Sequence, residues 1–540
     1  MRTGAQRSAG GVSDQITTHR YDFSPVADPA AAAGHPLLDG TPAAARRVAA
    51  AVGDLLELDG PRHRRLWAYY ENPSRVEPPV SDDARPYRQA QEWGLPARIT
   101  GVEPGAEPFD DLPATALRKE VVIENDIGWR VDTTVDFLLG RGFVLDSAAP
   151  DPERATLIAT VLRAILAANG GLPFLQRIAL VGAVYGSADL LVKARADGDP
   201  PSLATCSTAS FGGVAGDAAG DLDAMALAGA VCIELVEPAR ALPIVDTTDG
   251  QSVLAYAQVW STPRPANPPV EPAPGRADWI RRVWNAAAPG AADDASDLHV
   301  EVIGPRGWQR WKNGQLIDFG HNSLGEIPLA HVQNGVRPLE RIGASDVEPL
   351  IPLQDELNTR LSDRAHRVVL QSQRMYLGVG IDGFGEEPIR PGRMWATDNL
   401  EARIETFGSD TGSAAEADAI REVRQALDKT SGVNPAASGA IGGRVGNLSS
   451  AAALRLTFQA LLAKTERKRA NYGAAISRCC ELALGWLHAA GLFETEPEER
   501  RVRLTWPDPV PVDEGERLDQ ARQKQLLGVD PDVVRRELGY

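Results

Sequence analysis

The order of segments after residue 343 constrains this chain most, because long helical patterns alternate there with short connectors. Helical periodicity over residues 345–373 predicts a rod of about 43 Å, at 1.5 Å of rise per residue. A strand-and-turn module at 374–410 separates it from a second helix at 413–430. A glycine-rich loop and the longest helical stretch, about 448–490, follow. Helices that are joined only through a small module leave their sides open, so we expect copies of the chain to close a circle.

Composition narrows the class of protein. A chain of 540 residues has room for three or four domains, and 43% hydrophobic and 24% charged residues are ordinary for a folded protein. The formal charge of −17 opposes tight wrapping of nucleic acid, because that affinity needs Lys and Arg on the phosphates. It is compatible with a wall along which DNA slides, since an acidic wall repels phosphates.

Targeting and redox signals are sparse. The N-terminus lacks the apolar core of a signal peptide, and no run approaches the ~18 apolar residues of a membrane helix. The cysteines form no CxxC pair or zinc spacing, which predicts a reducing compartment and a protein that is cytosolic when made. The adjacent pair is expected in a helix core. The four cysteines are Cys206, Cys232, Cys479 and Cys480.

The first half of the chain mixes helices and strands. The composition of residues 1–40 predicts a flexible arm, and a helical pattern follows at 43–58. Next come Trp67, Tyr69 and Tyr70. We expect these aromatic residues to serve as core or subunit contacts rather than as a base-stacking platform. Helices are predicted within 121–145 (ending at Gly140), at 151–168 with an Asp151 cap, and at 174–192. The middle helix has an apolar stripe of Leu157, Val161, Leu162, Ile165 and Leu166.

Strands and loops fill the remainder. Alternating, β-branched runs predict strands, and Asn313–Gly314 favours a two-residue hairpin turn within 308–320. Segments rich in Gly, Ala or Pro predict surface loops. The strands are 231–236, 252–260, 299–304 and 501–506, the loops are 196–222 and 261–297, and a last helix runs from Asp513 to the C-terminus.

The order of these motifs resembles tailed-bacteriophage portal proteins, specifically those of siphophages of Gram-positive hosts. The resemblance covers roughly residues 120–540. The segments that carry it are IVDTTDG with AYAQVW, HNSLGEIPLAHVQN (321–334), GASDVEPLIPLQDELNTRLSDRAHRVV (343–369), the stretch 429–469 and the stretch 504–540.

This resemblance implies an α+β portal fold with a mixed α/β wing, a long-helix stem, a small α/β clip and a helical C-terminal region, assembled as a ring. Because the chain ends at Tyr540, any crown is expected to be small or absent. The implied domains are the arm (1–40), the wing (41–344), a stem helix (345–373), the clip (374–410), a second stem helix (411–431), a tunnel loop (432–447), a long wing or tunnel helix (448–500) and a C-terminal strand and helix (501–540).

The resemblance also implies a function. A homododecameric ring would form the capsid-vertex channel through which double-stranded DNA is packaged and ejected. Its expected partners are other copies of itself, the DNA, the terminase large subunit, the head-completion or tail adaptor, and the major capsid and scaffolding proteins, with no membrane. The expected location is the virion.

Arginines recur at helical spacing on the predicted stem helix. They predict a stripe that meets DNA phosphates or the carboxylates of the next subunit, whereas the bland alternative is a solvated face with local pairs such as Arg360 with Asp363. An apolar stripe of Leu353, Leu357 and Leu361 lies about one face away. The basic stripe consists of Arg360, Arg364, Arg367 and Arg374, with Gln371 between them.

The glycine-rich loop has Arg444 as its only charge. Its glycines give backbone freedom, so it serves either as a tunnel loop facing DNA or as a flexible connector. Its polar candidates are Asn434, Ser438, Arg444 and Asn447, and the apolar clip candidates are Tyr376, Met394, Trp395 and Phe407. The charged patch 464–469 is expected to face solvent or to pair with the acidic helix 413–430 of another subunit.

Signatures of enzymes are missing from the sequence. GxxxxGK[ST], GxSxG and HExxH do not occur, and the GxGxxG letters at 378–383 are not followed by a helical pattern. His321, His331 and His366 do not form a ligand pattern. We therefore expect neither catalysis nor a cofactor or bound metal. The alternative is another ring-forming virion adaptor or minor capsid protein, including one of a gene-transfer particle or prophage.

Overall fold

In the computed structural model the chain divides into two compact units. The sheet unit comprises 1–67, 130–348 and 432–540, and the hairpin unit comprises 68–129 and 349–431. The structure describes residues 52–53, 55, 59–71, 122–195, 218–245, 252–263, 296–313, 315–338, 340–372, 375–381, 399–407, 414–438, 451–510, 514–528, 531 and 534.

Helices and strands alternate along the described residues. The helices are α1 (Gly60–Glu71), α2 (Asp126–Leu139), α3 (Pro152–Ala168), α4 (Gly171–Tyr185), α5 (Ala218–Gly229), α6 (Ile351–Ser372), α7 (Ala414–Ser431), α8 (Ala451–Thr457), α9 (Gln459–Ala489) and α10 (Glu514–Leu526). The strands are β1 (Val144–Ser147), β2 (Ser187–Ala194), β3 (Val231–Val236), β4 (Ala241–Val245), β5 (Val253–Pro263), β6 (Ser296–Ile303), β7 (Gly307–Lys312), β8 (Gln315–His321), β9 (Leu329–Gln333), β10 (Met375–Val379), β11 (Arg403–Phe407) and β12 (Val502–Thr505). This mixture of helices and strands agrees with the expected α+β class.

Antiparallel sheets organise the sheet unit. Strands β4 to β8 form a five-stranded meander in chain order, β2 lies between β3 and β9, and β1 pairs with β12. Strand β5 is buried on both faces: Ala257 and Val259 join one apolar cluster, and Tyr256 joins another with Trp308. The period-two alternation of a strand explains how neighbouring residues reach separate cores.

The hairpin unit is built from helix α6, a ribbon of β10 and β11, and helix α7, and the two helices contact each other. Buried leucines Leu357 and Leu361 line α6, while Ile420 and Leu427 are buried on α7. This unit therefore has a helix-pair core, with a two-stranded ribbon at its end.

The structure corrects two predicted helix bounds. The stem helix begins at Ile351 rather than Ser345, because the Ser345 Oγ accepts hydrogen bonds from the backbone N–H groups of Val347 (3.0 Å) and Glu348 (3.2 Å) and a 3₁₀ turn follows at Glu348–Leu350. The helix predicted at 174–192 ends at Tyr185. Gly186 has a left-handed φ of 98°, and a buried strand follows.

Smaller differences concern three other predictions. The long C-terminal helix is interrupted at Phe458, whose ring packs edge-on against Phe137 at 5.9 Å. Leu157 was expected in an apolar stripe but is 41% exposed. Residues 218–222, expected in a loop, begin helix α5. The Asp151 cap and the burial of Cys479 and Cys480 are confirmed.

Several predictions fall outside the described residues. These are the arm, most of the helical pattern at 43–58, and most of the two loops, 196–222 and 261–297. The membrane criterion was tested on the described part of the chain, where no single helix is both long and apolar enough to cross a membrane. Only α3 together with α4, bent by 69°, meets that criterion, on length and composition alone.

Candidate functional site

The members of the basic stripe on helix α6 differ in exposure. Arg360 and Arg364 are exposed, and Arg367 is half-buried. The Arg360 guanidinium pairs with Glu356 at 2.8 Å, one turn earlier, rather than with Asp363 as the local alternative had it, and Arg367 pairs with Glu416 on α7. Two of the three described arginines are thus already neutralised within the subunit.

Arg364 differs from its neighbours, because it has no ion-pair partner among the residues that the structure describes. Glu422 on α7 is likewise exposed without such a partner in the described ranges. Arg374, the last member of the predicted stripe, lies outside them.

The opposite side of α6 carries a polar ladder of Gln354, Asn358 and Ser362, all buried and one turn apart. The ladder binds the backbone of residues 122–127. Ser362 accepts from the Val122 N–H (2.9 Å), Asn358 from the Glu124 N–H (3.1 Å), and Gln354 from the Ile127 N–H (3.2 Å). The bonds to Val122 and Glu124 satisfy backbone N–H groups that lie in neither helix nor sheet, and the bond to Ile127 satisfies an N–H in the first turn of α2 that has no partner within the helix.

Two anchors fix the register of α6 against α7. Near the ribbon, Arg367 meets Glu416. Further away, Glu124 donates its backbone N–H to Asn358 and accepts from Arg424 at 2.6 Å through its carboxylate. Residues 358 and 424 are therefore at one level and residues 367 and 416 at another, as expected for antiparallel helices.

The ribbon leaves apolar side chains open. Strands β10 and β11 pair from Met375↔Phe407 to Val379↔Arg403. Leu377 is 46% exposed and Ile404 is 45% exposed, and because directly paired residues share a face, the two lie on opposite faces of the ribbon. A two-stranded ribbon is marginal by itself, and this one exposes apolar side chains on both faces.

The clip candidates are only partly located. Tyr376 and Phe407 occupy strand positions opposite Thr406 and Met375, but their side chains lie outside the described residues, as do Met394 and Trp395 altogether. Gly378 lies within strand β10, and the residues after 381 in the GxGxxG letters also fall outside.

Hydrogen bonds hold the first residues of the predicted tunnel loop in place. Gly432 has φ 72°, and the buried Val433 accepts a hydrogen bond at its carbonyl from Arg130 at 2.9 Å. The Asn434 Oδ1 accepts from the backbone N–H of Ala436 (2.9 Å), which caps a 3₁₀ turn at Pro435–Ser438. The side chain of Ser438, and Arg444 and Asn447 altogether, are outside the described residues.

The charged patch on helix α9 was predicted to face solvent or another subunit, and for Lys468 and Arg469 this is wrong. Lys468 is buried and donates to Asp346 and Asn334, and Lys464 meets Asp346 at 3.2 Å. The Tyr472 hydroxyl donates to Asn334 at 3.0 Å. This buried network joins α9 to the segment just before α6.

Burial controls the ionisation of this network. It lowers the pKa of Lys468 to about 8, although Asp346 acts in the opposite direction. Burial by itself would raise the pKa of Asp346, but the two lysine ammonium groups outweigh it and leave that pKa below its usual value. The network is therefore held as a charged pair inside the fold.

A second buried cluster lies on the five-stranded sheet. Glu301 accepts from Lys193 (2.7 Å), Gln258 (2.6 Å) and Arg310 (2.9 Å). Burial opposes the charge of Glu301, yet Lys193 and Arg310 lower its pKa to about 2. Elsewhere, His331 bonds to Asp189 (2.6 Å) and to the Arg341 carbonyl (2.9 Å). In the described part of the chain, no group of three or more His, Cys, Asp or Glu residues could hold a metal ion.

The aromatic group near the N-terminus makes contacts within each unit. The Trp67 ring stacks on Tyr185 at 6.0 Å, and the Tyr69 hydroxyl donates to Asp355 at 2.8 Å. The carbonyl of Tyr70 accepts from the Asn125 amide at 3.1 Å. All three residues are half-buried, and these contacts lie within one chain.

Sequence reasoning missed the polar ladder and the buried lysine, although both had a signal. The ladder recurs every four residues, the period of one helix face. Lys468 belongs to a heptad-like stripe whose other members, Leu461, Thr465, Tyr472 and Ile476, are all buried. Its position relative to those neighbours, rather than the surrounding charges, predicts burial.

Comparison with known proteins identifies the family of the chain. The family model described as phage portal protein, SPP1 Gp6-like, matches residues 225–531, which is more than half of the chain. The chain belongs to this family of phage portal proteins.

A curated relative gives a more particular comparison. The portal protein of Mycobacterium phage D29 is 23% identical over 256 residues, which cover 43% of this chain and 50% of the relative. The chain thus spans about half of the length of that relative.

Proposed function

We propose that copies of this chain form the ring at a capsid vertex through which double-stranded DNA is packaged and ejected, with twelve subunits as the family resemblance implies. The observation that supports this proposal most is the exposed apolar surface of the hairpin unit. Its two helices exit on either side of a ribbon whose apolar residues, Leu377 and Ile404, are open on both faces. Neighbouring copies would cover such a ribbon.

In this proposal the ribbon and residues 374–410 around it form the clip, which docks the terminase large subunit first and the head-completion or tail adaptor later. The segment 432–447 forms the tunnel loop, anchored at its start by the Val433 carbonyl and the Asn434 turn. The role is mechanical rather than enzymatic, and the location is the virion, with contacts to the major capsid and scaffolding proteins.

Replacing residues 374–410 by a short Gly-Ser linker tests the docking role. Rings are examined by negative-stain microscopy, and pull-downs measure binding of the terminase large subunit and of the adaptor. We expect the variant to lose both partners. A variant that still binds both partners as the wild type does would contradict the clip assignment.

The channel is tested with a photo-crosslinking amino acid at position 444, inside packaged particles. We expect crosslinks to DNA there. The matched position is Arg522 on α10, whose side chain is 80% exposed and which we expect to give none. Equal crosslinking at the two positions, or none at 444, would contradict the tunnel-loop role.

A further inference from the structure

We propose that the basic stripe of helix α6 is a seam between subunits, in which Arg364 of one copy meets Glu422 on helix α7 of the next copy. The inference deepens the proposed function, because it rests on the ring and names what the stripe binds. It chooses between the two partners that the sequence left open, DNA phosphates and subunit carboxylates.

Charge within the subunit argues against DNA as the partner. Affinity for DNA comes from cations that neutralise phosphates. Arg360 is already paired with Glu356 at 2.8 Å, and Arg367 with Glu416. Of the described arginines of the stripe, this leaves Arg364, so most of the charge of the stripe is already balanced within each chain.

The faces of the two helices fit an arrangement of repeated copies. On α7, Glu416, Ile420 and Leu427 recur at helical spacing on the side that faces α6, and Ile420 and Leu427 are buried. Glu422 and Asp418 lie about half a turn away, on the outer side, and both are exposed. The outer side of α6 offers arginine, and the outer side of α7 offers carboxylates, so the two surfaces are complementary and different. Contacts of this head-to-tail kind generate rings.

The charges on α6 and α7 also lie at matching positions along the helix axes. Arg364 lies three residues before Arg367, which is about 4.5 Å further from the ribbon. On the antiparallel α7 the same height is near residue 419, counted from Glu416. That position lies between Asp418 and Glu422, so an arginine side chain can reach either. Cyclic symmetry keeps all copies at one height, so the match holds between neighbours when the helices run along the ring axis.

Of the two carboxylates, Glu422 is the better partner. Asp418 already pairs with Arg421 at 2.6 Å on its own helix. Glu422 has no ion-pair partner among the described residues. The Arg364 guanidinium of a neighbouring copy would therefore give Glu422 an ion-pair partner.

A charge swap tests the seam in the full chain. Arg364→Glu and Glu422→Arg are made singly and together, and the ring fraction is measured by mass photometry across protein and salt concentrations. We expect each single variant to weaken association about tenfold, since like charges then face each other. The double variant should recover most of the wild-type ring fraction. Wild-type rings should loosen as salt rises. Arg522→Glu on α10 is the matched control and should assemble normally.

Recovery in the double variant also shows that the single variants fold. The seam is overturned if both single variants assemble as the wild type does, or if the double variant assembles no better than they do. Normal rings of Arg364→Glu that fail to retain DNA would assign the stripe to DNA instead. In those cases the proposed ring still stands. A wild-type chain that forms no ring overturns the proposed function and the seam together.

Discussion

The sheet unit and the hairpin unit differ in how far they bury the apolar and charged side chains of their strands. In the sheet unit, β5 is buried on both faces and Glu301 is enclosed by three donors. In the hairpin unit, Leu377 and Ile404 are open on opposite faces of a ribbon, and Arg403 meets Glu405 on an exposed surface. The core around β5 is completed within one chain, whereas the ribbon leaves apolar side chains exposed on both faces, which we propose that other chains cover. Loss of a buried contact should therefore affect stability, and loss of an exposed apolar side chain of the ribbon should affect assembly.

The largest difference is expected between two carboxylates. Glu301→Gln leaves the buried Lys193 and the half-buried Arg310 without their full counter-charge, and we expect unfolding free energy to fall by about 3–5 kcal/mol. The matched change Glu405→Gln removes an exposed pair and should cost about 1 kcal/mol or less. Chemical denaturation of both variants measures the contrast, and equal losses would remove the distinction between the units.

The dependence of stability on pH also tests the role of the buried Glu301. The pKa of Glu301 is about 2 in the folded chain against an ordinary 4.5, so its stabilisation is complete above pH 4.5 and is lost as pH falls toward 2. The shift corresponds to about 3 kcal/mol. We expect the stability of the wild type to fall more steeply in this window than that of Glu301→Gln. Parallel pH profiles would show that Glu301 is not the group that titrates.

A backbone position in the sheet unit should be nearly as sensitive. Gly186 has φ 98°, and a Cβ there would lie 2.2 Å from the Gly343 carbonyl oxygen. Gly186→Ala is expected to cost at least about 2 kcal/mol, from the left-handed backbone and the clash together. Gly229→Ala is the control, because no atom lies within 4 Å of a Cβ at that position. Thermal unfolding compares the two, and a stable Gly186→Ala would contradict the tight turn.

The smallest effect on stability is predicted in the ribbon. Leu377 is 46% exposed, so Leu377→Ser should change unfolding free energy by about 0.5 kcal/mol or less while lowering the fraction of chains in rings. Leu357→Ala removes a fully buried side chain from α6 and should cost about 2–5 kcal/mol. Sedimentation together with denaturation separates the effects. A Leu377→Ser chain that assembles fully would show that copies do not cover the ribbon.

Local rules predicted much of this fold from the sequence. Asp151 with Pro152 gave the start of α3, and Asn313 with Gly314 gave the β7–β8 hairpin, because caps and tight turns depend on neighbouring residues. The switch from helix to strand at Gly186 could not be predicted that way. It depends on Gly343, which is distant in sequence and close in space.

The candidate site was predictable in outline but not in its pairings. The arginine spacing placed Arg360, Arg364 and Arg367 on one side of α6, as observed. Arg360 pairs with Glu356 one turn earlier on its own helix, but the partner of Arg367 is Glu416 of another helix, which no helical period predicts. Lys468 was misjudged because the charges around it outweighed its place on a buried stripe.

The central claim is that copies of the chain complete the hairpin unit by closing into a ring. Negative-stain electron microscopy of the purified full chain, with mass measured on the same sample, tests it most directly. We predict closed annular particles with a central opening and a mass that is a whole multiple of the 57.7 kDa chain. Particles of single-chain mass at every concentration, without any opening, would contradict the account.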